Sequence, residues 1–141
     1  MAPHIITLTH CGLRSSSRYY AYETMANSIK QVQIISKSPD ETARFYAELF
    51  GWSIDANNPM GYRRIDTGST DGIQAGIWPA PPQAPSFVQF FVSVKDLGAA
   101  VQQAQQLGAK VLMGPMALPE GDQMAVLHDP LGMSFGIWQQ P

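Results

Sequence analysis

AGIWPAP (75–81) and FGIWQQP (135–141) contain the same Gly-Ile-Trp triplet, and in both segments a proline stands three places after the tryptophan. The two triplets are 60 residues apart, and Gly72 and Gly132 are separated by the same 60 residues, so the similarity extends beyond the triplet. A segment that recurs at a fixed spacing indicates a repeated structural unit. The sequence therefore predicts a fold made of two similar halves, each ending in a strand that carries Gly-Ile-Trp.

The first half reads as a strand, a helix and three more strands. In SIKQVQIIS (28–36), Gln31, Gln33 and Ile35 share one face and Val32 and Ile34 share the other, and this alternation is typical of a strand. SPDETARFYAELFGW (38–52) has a Ser-Pro start, acidic residues in its first turn and a glycine as its end, which predicts a helix. Short apolar segments between turn residues predict the remaining strands: WSID (52–55), YRRIDTG (62–68) and IQAGIW (73–78).

The second half repeats this order. SFVQFFVSV (86–94) predicts a strand, and KDLGAAVQQAQQLGA (95–109) predicts a helix that Gly108 ends. Three further strands are predicted at KVLM (110–113), QMAVLHDP (123–130) and MSFGIW (133–138). The proline-rich PAPPQAP (79–85) is suited to a stiff linker between the halves.

These elements predict an α+β fold with two tandem βαβββ modules, at about 28–80 and 86–140, within a single domain at 27–141. One such module leaves a face of its sheet uncovered. The modules are therefore expected to form a curved sheet around a shared cavity, which is the expected site.

Composition excludes several functions. The chain has 141 residues, of which 45% are hydrophobic and 14% are charged, as in one packed domain. A net charge of -2 without a Lys/Arg cluster makes nucleic acid an unexpected partner. No apolar run reaches the roughly 18 residues of a membrane helix, so no membrane association is expected. The single cysteine, Cys11, favours a reducing compartment, and cytoplasmic localisation is expected.

Residues 1–26 do not continue the pattern. With Arg and Ser but a single acidic residue, Glu23, they have some features of an organelle transit peptide. The favoured interpretation is a leader outside the core, ahead of a natural start at Met25. His4, His10 and Cys11 match no common zinc-binding spacing, so no metal site is expected there.

Three segments together resemble the vicinal oxygen chelate superfamily, which covers glyoxalase I, bleomycin-resistance proteins and extradiol dioxygenases. They are SPDETARFYAELFGW (38–52), VKDLGAAVQQAQQLGAKV (94–111) and LHDPLGMSFGIW (127–138). The resemblance covers about residues 28–140. It implies two βαβββ modules whose sheets enclose a cavity, and assembly as a homodimer.

The resemblance also implies four metal-ligand positions, in the first and last strand of each module. In this sequence they fall on Gln31, Gly76, Gln89 and Gly136. Glycine has no donor atom, and two neutral carboxamides do not replace the anionic oxygens or imidazoles that divalent ions prefer. No metal and no other cofactor is therefore expected.

Period-two alternation extends the predicted cavity wall from these positions. Neutral amides and aromatic rings would then line a small-molecule pocket. The predicted ligand-binding residues are Gln31, Gln33, Arg64, Trp78, Gln89, Phe91, Met124 and Trp138. Two alternatives stay open: the tryptophans belong to the core or a dimer interface, and the glutamines lie at an exposed rim of the sheet.

Arg63 and Arg64 are adjacent in one strand and must face opposite sides. Arg64 in the cavity would offer a fork of donors to a carboxylate or phosphate. An ion pair between Arg64 and Asp66 is the alternative. GPMALPEGDQM (114–124) is predicted as a loop, either a lid that uses Met116 and Met124 or a plain surface connection.

Two functions follow as hypotheses, and no catalytic residue is identified. The first is a metal-free small-molecule binding protein of the glyoxalase/bleomycin-resistance type. The alternative is an enzyme of the superfamily, a lyase, isomerase or dioxygenase acting on a small oxygenated substrate. In that case Gln31, Gln89 or an arginine would stabilise an oxyanion and His128 would transfer protons. A structural or regulatory protein with a collapsed cavity is a third possibility.

Overall fold

A computed structural model describes residues 27–141, so the predicted leader at 1–26, with His4, His10 and Cys11, lies outside the described residues. The described chain forms eight strands and two helices. In chain order they are β1 (Ile29–Ser36), α1 (Pro39–Phe50), β2 (Ser53–Asp55), β3 (Arg63–Asp66), β4 (Gln74–Pro79), β5 (Phe87–Ser93), α2 (Leu97–Gln106), β6 (Lys110–Ala117), β7 (Gln123–His128) and β8 (Ser134–Gln139).

All eight strands form one sheet in the order β2-β3-β4-β1-β5-β8-β7-β6. Within each half the first strand lies parallel to the last, β1 to β4 and β5 to β8. The halves meet where β1 and β5 pair antiparallel. The predicted α+β fold of two βαβββ modules, with a curved sheet, is therefore confirmed.

The register at this junction relates the two halves. Gln33 pairs with Gln89, and Gln31 pairs with Phe91. Gln33 lies beside Gly76 of the first Gly-Ile-Trp, and Phe91 lies beside Gly136 of the second. Gln33 and Phe91 are thus equivalent positions with different chemistry.

The helices begin and end where the sequence predicts. Pro39 occupies the first turn of α1, and Gly51 ends it in the left-handed conformation at φ 72°, which glycine adopts without strain. Asp96 caps α2 by accepting a hydrogen bond from the backbone N–H of Ala99 at 3.0 Å. No helix of the described range, 27–141, is long and apolar enough to cross a membrane.

The two helices cover the same face of the sheet, which we call the outer face. Leu97 and Val101 of α2 are buried against Ala125, Leu127 and Ile137. By contrast, α1 contains no buried residue. The opposite face, which we call the inner face, carries the alternate residues of each strand.

The predicted loop at 114–124 is wrong in extent. Strand β6 continues to Ala117, and Met116 pairs with Met124 of β7. The register of this edge strand shifts twice, and the second shift, between Met113 and Met116, accommodates Gly114 and Pro115. The connection that remains, 118–122, is a short turn.

Candidate functional site

The strand register places all eight predicted ligand-binding residues on the inner face. Side chains of residues paired across neighbouring strands point to the same side of a sheet. Gln33 pairs with Gly76, which pairs with Arg64, and Trp138 pairs with Met124. The structure therefore brings these side chains to one surface.

Tyr62 covers the glycine of the first Gly-Ile-Trp. A Cβ atom at residue 76 would overlap the ring and hydroxyl of Tyr62. The ring also lies against Trp78, with the centroids 4.8 Å apart. Gly76 is thus required because an aromatic side chain rests directly on its backbone.

Phe91 covers the glycine of the second Gly-Ile-Trp in the same way. A Cβ atom at residue 136 would overlap the Phe91 ring. Phe91 is fully buried and contacts Trp138 edge to face, with the centroids 6.0 Å apart. In both halves an aromatic ring occupies the space into which a side chain at the glycine position would project.

The two glutamines at the remaining implied ligand positions are hydrogen-bonded to protein groups. The Nε2 of Gln31 donates to the Tyr62 hydroxyl at 2.9 Å, and the Ser134 hydroxyl donates to Oε1 of Gln89 at 2.6 Å. Residues 27–141 contain no group of three or more His, Cys, Asp or Glu side chains that could hold a metal ion. The residues at these positions therefore do not fit a divalent cation.

Trp138 provides an unpaired donor. Its indole Nε1 is buried and is the one such side-chain atom without a hydrogen-bond partner among the residues described. A buried donor without a partner costs about 1–3 kcal/mol. An acceptor on a bound molecule would remove that cost.

The adjacent arginines have separate surroundings. Arg63 faces outward and forms an ion pair with Asp40 of α1, with Nη2 2.8 Å from Oδ1. Arg64 is exposed and lies on the inner face opposite Gly76. Asp66, the alternative partner of Arg64, instead accepts a hydrogen bond from the backbone N–H of Gly68 at 2.9 Å.

Burial raises the pKa of the Tyr62 hydroxyl above its ordinary value of 10.0, while the hydrogen bond from Gln31 and the positive charge of Arg64 oppose that rise. Tyr62 is therefore protonated at neutral pH. Sequence reasoning did not select Tyr62. Its position two residues before Arg64, in the predicted strand YRRIDTG (62–68), was the available signal, because alternation along an extended segment brings both to the same face.

Two other candidates lie at the margin of the inner face. Met124 is buried with Phe91 and Val126, so it packs in the wall and does not belong to a loop. His128 ends β7 opposite Ser134. The carboxylate of its neighbour, Asp129, accepts hydrogen bonds from the backbone N–H groups of Leu131 and Met133.

A groove of about 420 Å³ lies on the outer face, between α1 and the β1–β5 pair. Phe45, Tyr46 and Val88 are among its lining residues. Its Ser36 and Thr42 hydroxyls are hydrogen-bonded to each other at 2.6 Å. The unpaired donor and the exposed arginine are on the inner face, which we therefore take as the candidate site.

Comparisons with known proteins agree with this architecture. The sequence profile of the Glyoxalase/Bleomycin resistance protein/Dioxygenase superfamily matches residues 28–137. The putative glyoxylase CFP32 of Mycobacterium tuberculosis is 30% identical over 111 residues, which are 73% of this chain and 42% of that protein. The anthracycline biosynthesis protein DnrV of Streptomyces peucetius is 28% identical over 121 residues, covering 73% of this chain and 44% of that protein. The chain spans less than half the length of these relatives.

Solved structures share the fold. The hypothetical protein BH1468 of Bacillus halodurans has a TM-score of 0.60 and 16% identity, covering 82% of this chain and 96% of that one. A methylmalonyl-CoA epimerase in complex with methylmalonyl-CoA and NH4+ has a TM-score of 0.54 and 19% identity, with coverage of 81% and 94%. Together with the profile match over most of its length, the duplicated βαβββ architecture shows that the chain belongs to the Glyoxalase/Bleomycin resistance protein/Dioxygenase superfamily.

Proposed function

We propose that this chain is a metal-free small-molecule binding protein of the glyoxalase/bleomycin-resistance type, with its ligand on the inner face. The observation that carries the proposal is the pair of aromatic rings over Gly76 and Gly136. A ligating side chain at either position would have to displace a ring. On the same face, the half-buried rings of Tyr62 and Trp78 offer flat apolar contacts to an organic molecule.

The chemistry of the wall favours a planar aromatic ligand that bears oxygen atoms. Trp78 and Tyr62 provide adjacent ring faces. Arg64 supplies a positive charge, and the Trp138 indole N–H supplies a donor. The name of one relative, an anthracycline biosynthesis protein, is in keeping with a polycyclic aromatic ligand.

Thermal unfolding with aromatic probes tests the proposal. We expect 2-naphthoate to raise the melting temperature of the wild-type protein, because a ligand that binds the native state stabilises it. Arg64→Met is expected to reduce the shift, since the carboxylate loses its cationic partner. Lys110→Met, which removes a charge from edge strand β6, is the control and is expected to retain the shift. An equal shift in wild type and Arg64→Met would place the carboxylate elsewhere.

Metal removal tests the second part of the proposal, which is that the site works without a metal ion. We expect chelator treatment to leave both the melting temperature and the 2-naphthoate shift unchanged, because the donor set does not suit a cation. Stoichiometric nickel, zinc, iron or manganese in protein purified without chelators would contradict a metal-free site.

The alternative is an enzyme of the superfamily acting on a small oxygenated substrate. Arg64 and the protonated Tyr62 lie on one face and could together polarise a substrate oxygen. Turnover of a carbonyl compound that is lost in Arg64→Met and retained after chelation would favour this alternative over binding alone.

We also propose a cytoplasmic homodimer. Large apolar side chains are exposed on α1 and on the outer face of β5, as is typical of a protein interface. These residues are Phe45, Leu49, Phe50, Val88 and Phe90. A second copy covering this patch would bury it and would also close the outer groove.

A further inference from the structure

We infer that the Tyr62 hydroxyl donates a hydrogen bond to a carbonyl oxygen of the ligand, and that this bond selects aromatic carbonyl compounds over hydrocarbons of the same shape. The inference rests on the proposed function and names the contact that would replace a metal ion. It starts from the position of the hydroxyl, which lies over Gly76 on the first module's inner face.

The hydrogen bond from Gln31 leaves the Tyr62 proton available. A phenol has one proton to donate and two lone pairs that accept. Nε2 of Gln31 donates to the hydroxyl at 2.9 Å, so this bond uses a lone pair. Gln31 is the one hydrogen-bond partner of the hydroxyl among the residues that the structure describes. The proton is thus free to meet an acceptor that a ligand brings.

The backbone of Tyr62 is held firmly by one side chain. Oδ1 of Asn58 accepts a hydrogen bond from the Tyr62 N–H at 3.1 Å, and Nδ2 of Asn58 donates to the Tyr62 carbonyl. The ring is then fixed between the backbone of Gly76 and the Trp78 indole. A donor fixed before binding loses little conformational entropy when it meets its acceptor.

The neighbouring groups suit a carbonyl acceptor. Arg64 lies two residues further along the same face, and its charge favours electron-rich oxygen nearby. The Trp78 ring, 4.8 Å from the Tyr62 ring, offers a flat surface for the aromatic part of the ligand. The phenol carries its proton at neutral pH because its ordinary pKa is 10.0, and burial raises that pKa further.

Binding of two probes of matched shape separates this role from simple packing. We expect Tyr62→Phe to bind 2-acetylnaphthalene roughly threefold to tenfold more weakly than the wild type, the size of one neutral hydrogen bond. Binding of 2-isopropenylnaphthalene, whose planar branched group has the size of the acetyl group but no oxygen acceptor, is expected to stay the same. Phenylalanine keeps the ring over Gly76, and thermal unfolding verifies that the variant folds.

A second variant tests the direction of the Gln31 hydrogen bond. Gln31→Glu replaces the amide donor with a carboxylate that accepts the Tyr62 proton, so we expect the same selective loss of 2-acetylnaphthalene binding. Gln74 is the Cα partner of Gln31 in β4, and its side chain has no hydrogen bond to Tyr62. Gln74→Glu therefore adds the same charge as a matched control and is expected to retain ketone binding.

The outcomes are distinct. Equal binding of 2-acetylnaphthalene by wild type and Tyr62→Phe overturns the inference while leaving the proposed function in place. Equal loss of both probes also overturns it, because the hydroxyl would then act through packing. If the wild type binds neither probe nor 2-naphthoate, both the inference and the proposed function fail.

Discussion

At the scale of single residues, the glycines of the two Gly-Ile-Trp triplets carry the most information. The sequence alone predicts that they lack metal-binding atoms. It does not reveal that Tyr62 and Phe91 occupy the space beside them, because each ring comes from a different strand than the glycine it covers. Tyr62 directly precedes β3, and Phe91 belongs to β5. Such close approaches depend on which residues pair between neighbouring strands, and alternation within one strand does not reveal that pairing.

Gly76→Ala tests this close approach. We expect a loss of about 1–3 kcal/mol in the free energy of unfolding, because the added methyl group meets the Tyr62 ring. Denaturant unfolding measures the loss. Gly98→Ala in α2 is the control, since the nearest atom there is 3.6 Å from the new methyl group and alanine favours a helix. In a Tyr62→Ala background the cost of Gly76→Ala should shrink, and an unchanged cost would refute the overlap.

The pH dependence of stability reports on Tyr62. The pKa of this residue is raised in the folded protein above its ordinary value of 10.0, so the unfolded state releases the proton at lower pH. The contribution of Tyr62 to stability is then complete below pH 10.0 and declines as pH rises above it. We expect Tyr62→Phe to lose this part of the alkaline decline. Ultraviolet absorbance should show one fewer late-titrating phenol, and an unchanged titration would contradict the assignment.

At the scale of elements, the two helices differ although their sequences predict equivalent roles. Leu97 is 0% exposed and Val101 is 7% exposed in α2, whereas Leu49 of α1 is 59% exposed. The apolar spacing of SPDETARFYAELFGW correctly predicts a helix but does not show what covers it. The strands are predicted well because alternation and turn residues agree, while β6 exceeds its predicted length because an edge strand tolerates Gly114 and Pro115.

Leucine truncation measures the difference between the helices. We expect Leu97→Ala to cost about 2–5 kcal/mol in the free energy of unfolding, as at other buried leucines. Leu49→Ala should cost less than about 1 kcal/mol in a monomer, because the side chain is already largely in water. Denaturant unfolding at low protein concentration compares them. Equal costs would mean that α1 is buried by a contact outside this chain.

At the scale of the whole molecule, the duplication could be predicted from the repeat, whereas the residues of the inner face were predicted from the ligand positions that the family resemblance implies. Alternation predicts that Gln31 and Gln33 share a face and that Arg63 and Arg64 face opposite sides, but it does not decide which arginine lies on the inner face. The sequence could not show that Arg63 pairs with Asp40, or that the Trp138 N–H has no partner. Both depend on distances between elements that are remote in the chain.

The proposed homodimer is tested by a charge in its interface. We expect Phe45→Glu to convert the mass measured by sedimentation equilibrium from that of two chains to that of one, because a buried carboxylate without a partner is costly. Gln103→Glu, on the exposed side of α2, should remain a dimer. A monomeric wild type at all accessible concentrations would contradict the proposal.

The junction of β1 and β5 makes the two halves of the inner face chemically different. A symmetric pairing of identical halves would present the same chemistry twice, but here Gln33 stands on one side where Phe91 stands on the other. The first half contributes Gln31, Gln33 and the Arg64 guanidinium beside two aromatic rings, whereas the second contributes Gln89 together with the buried apolar side chains of Phe91, Met124 and Val126. For the proposed binding site, this difference in charge and polarity between the halves predicts that a ligand with one polar and one apolar end binds in a single orientation.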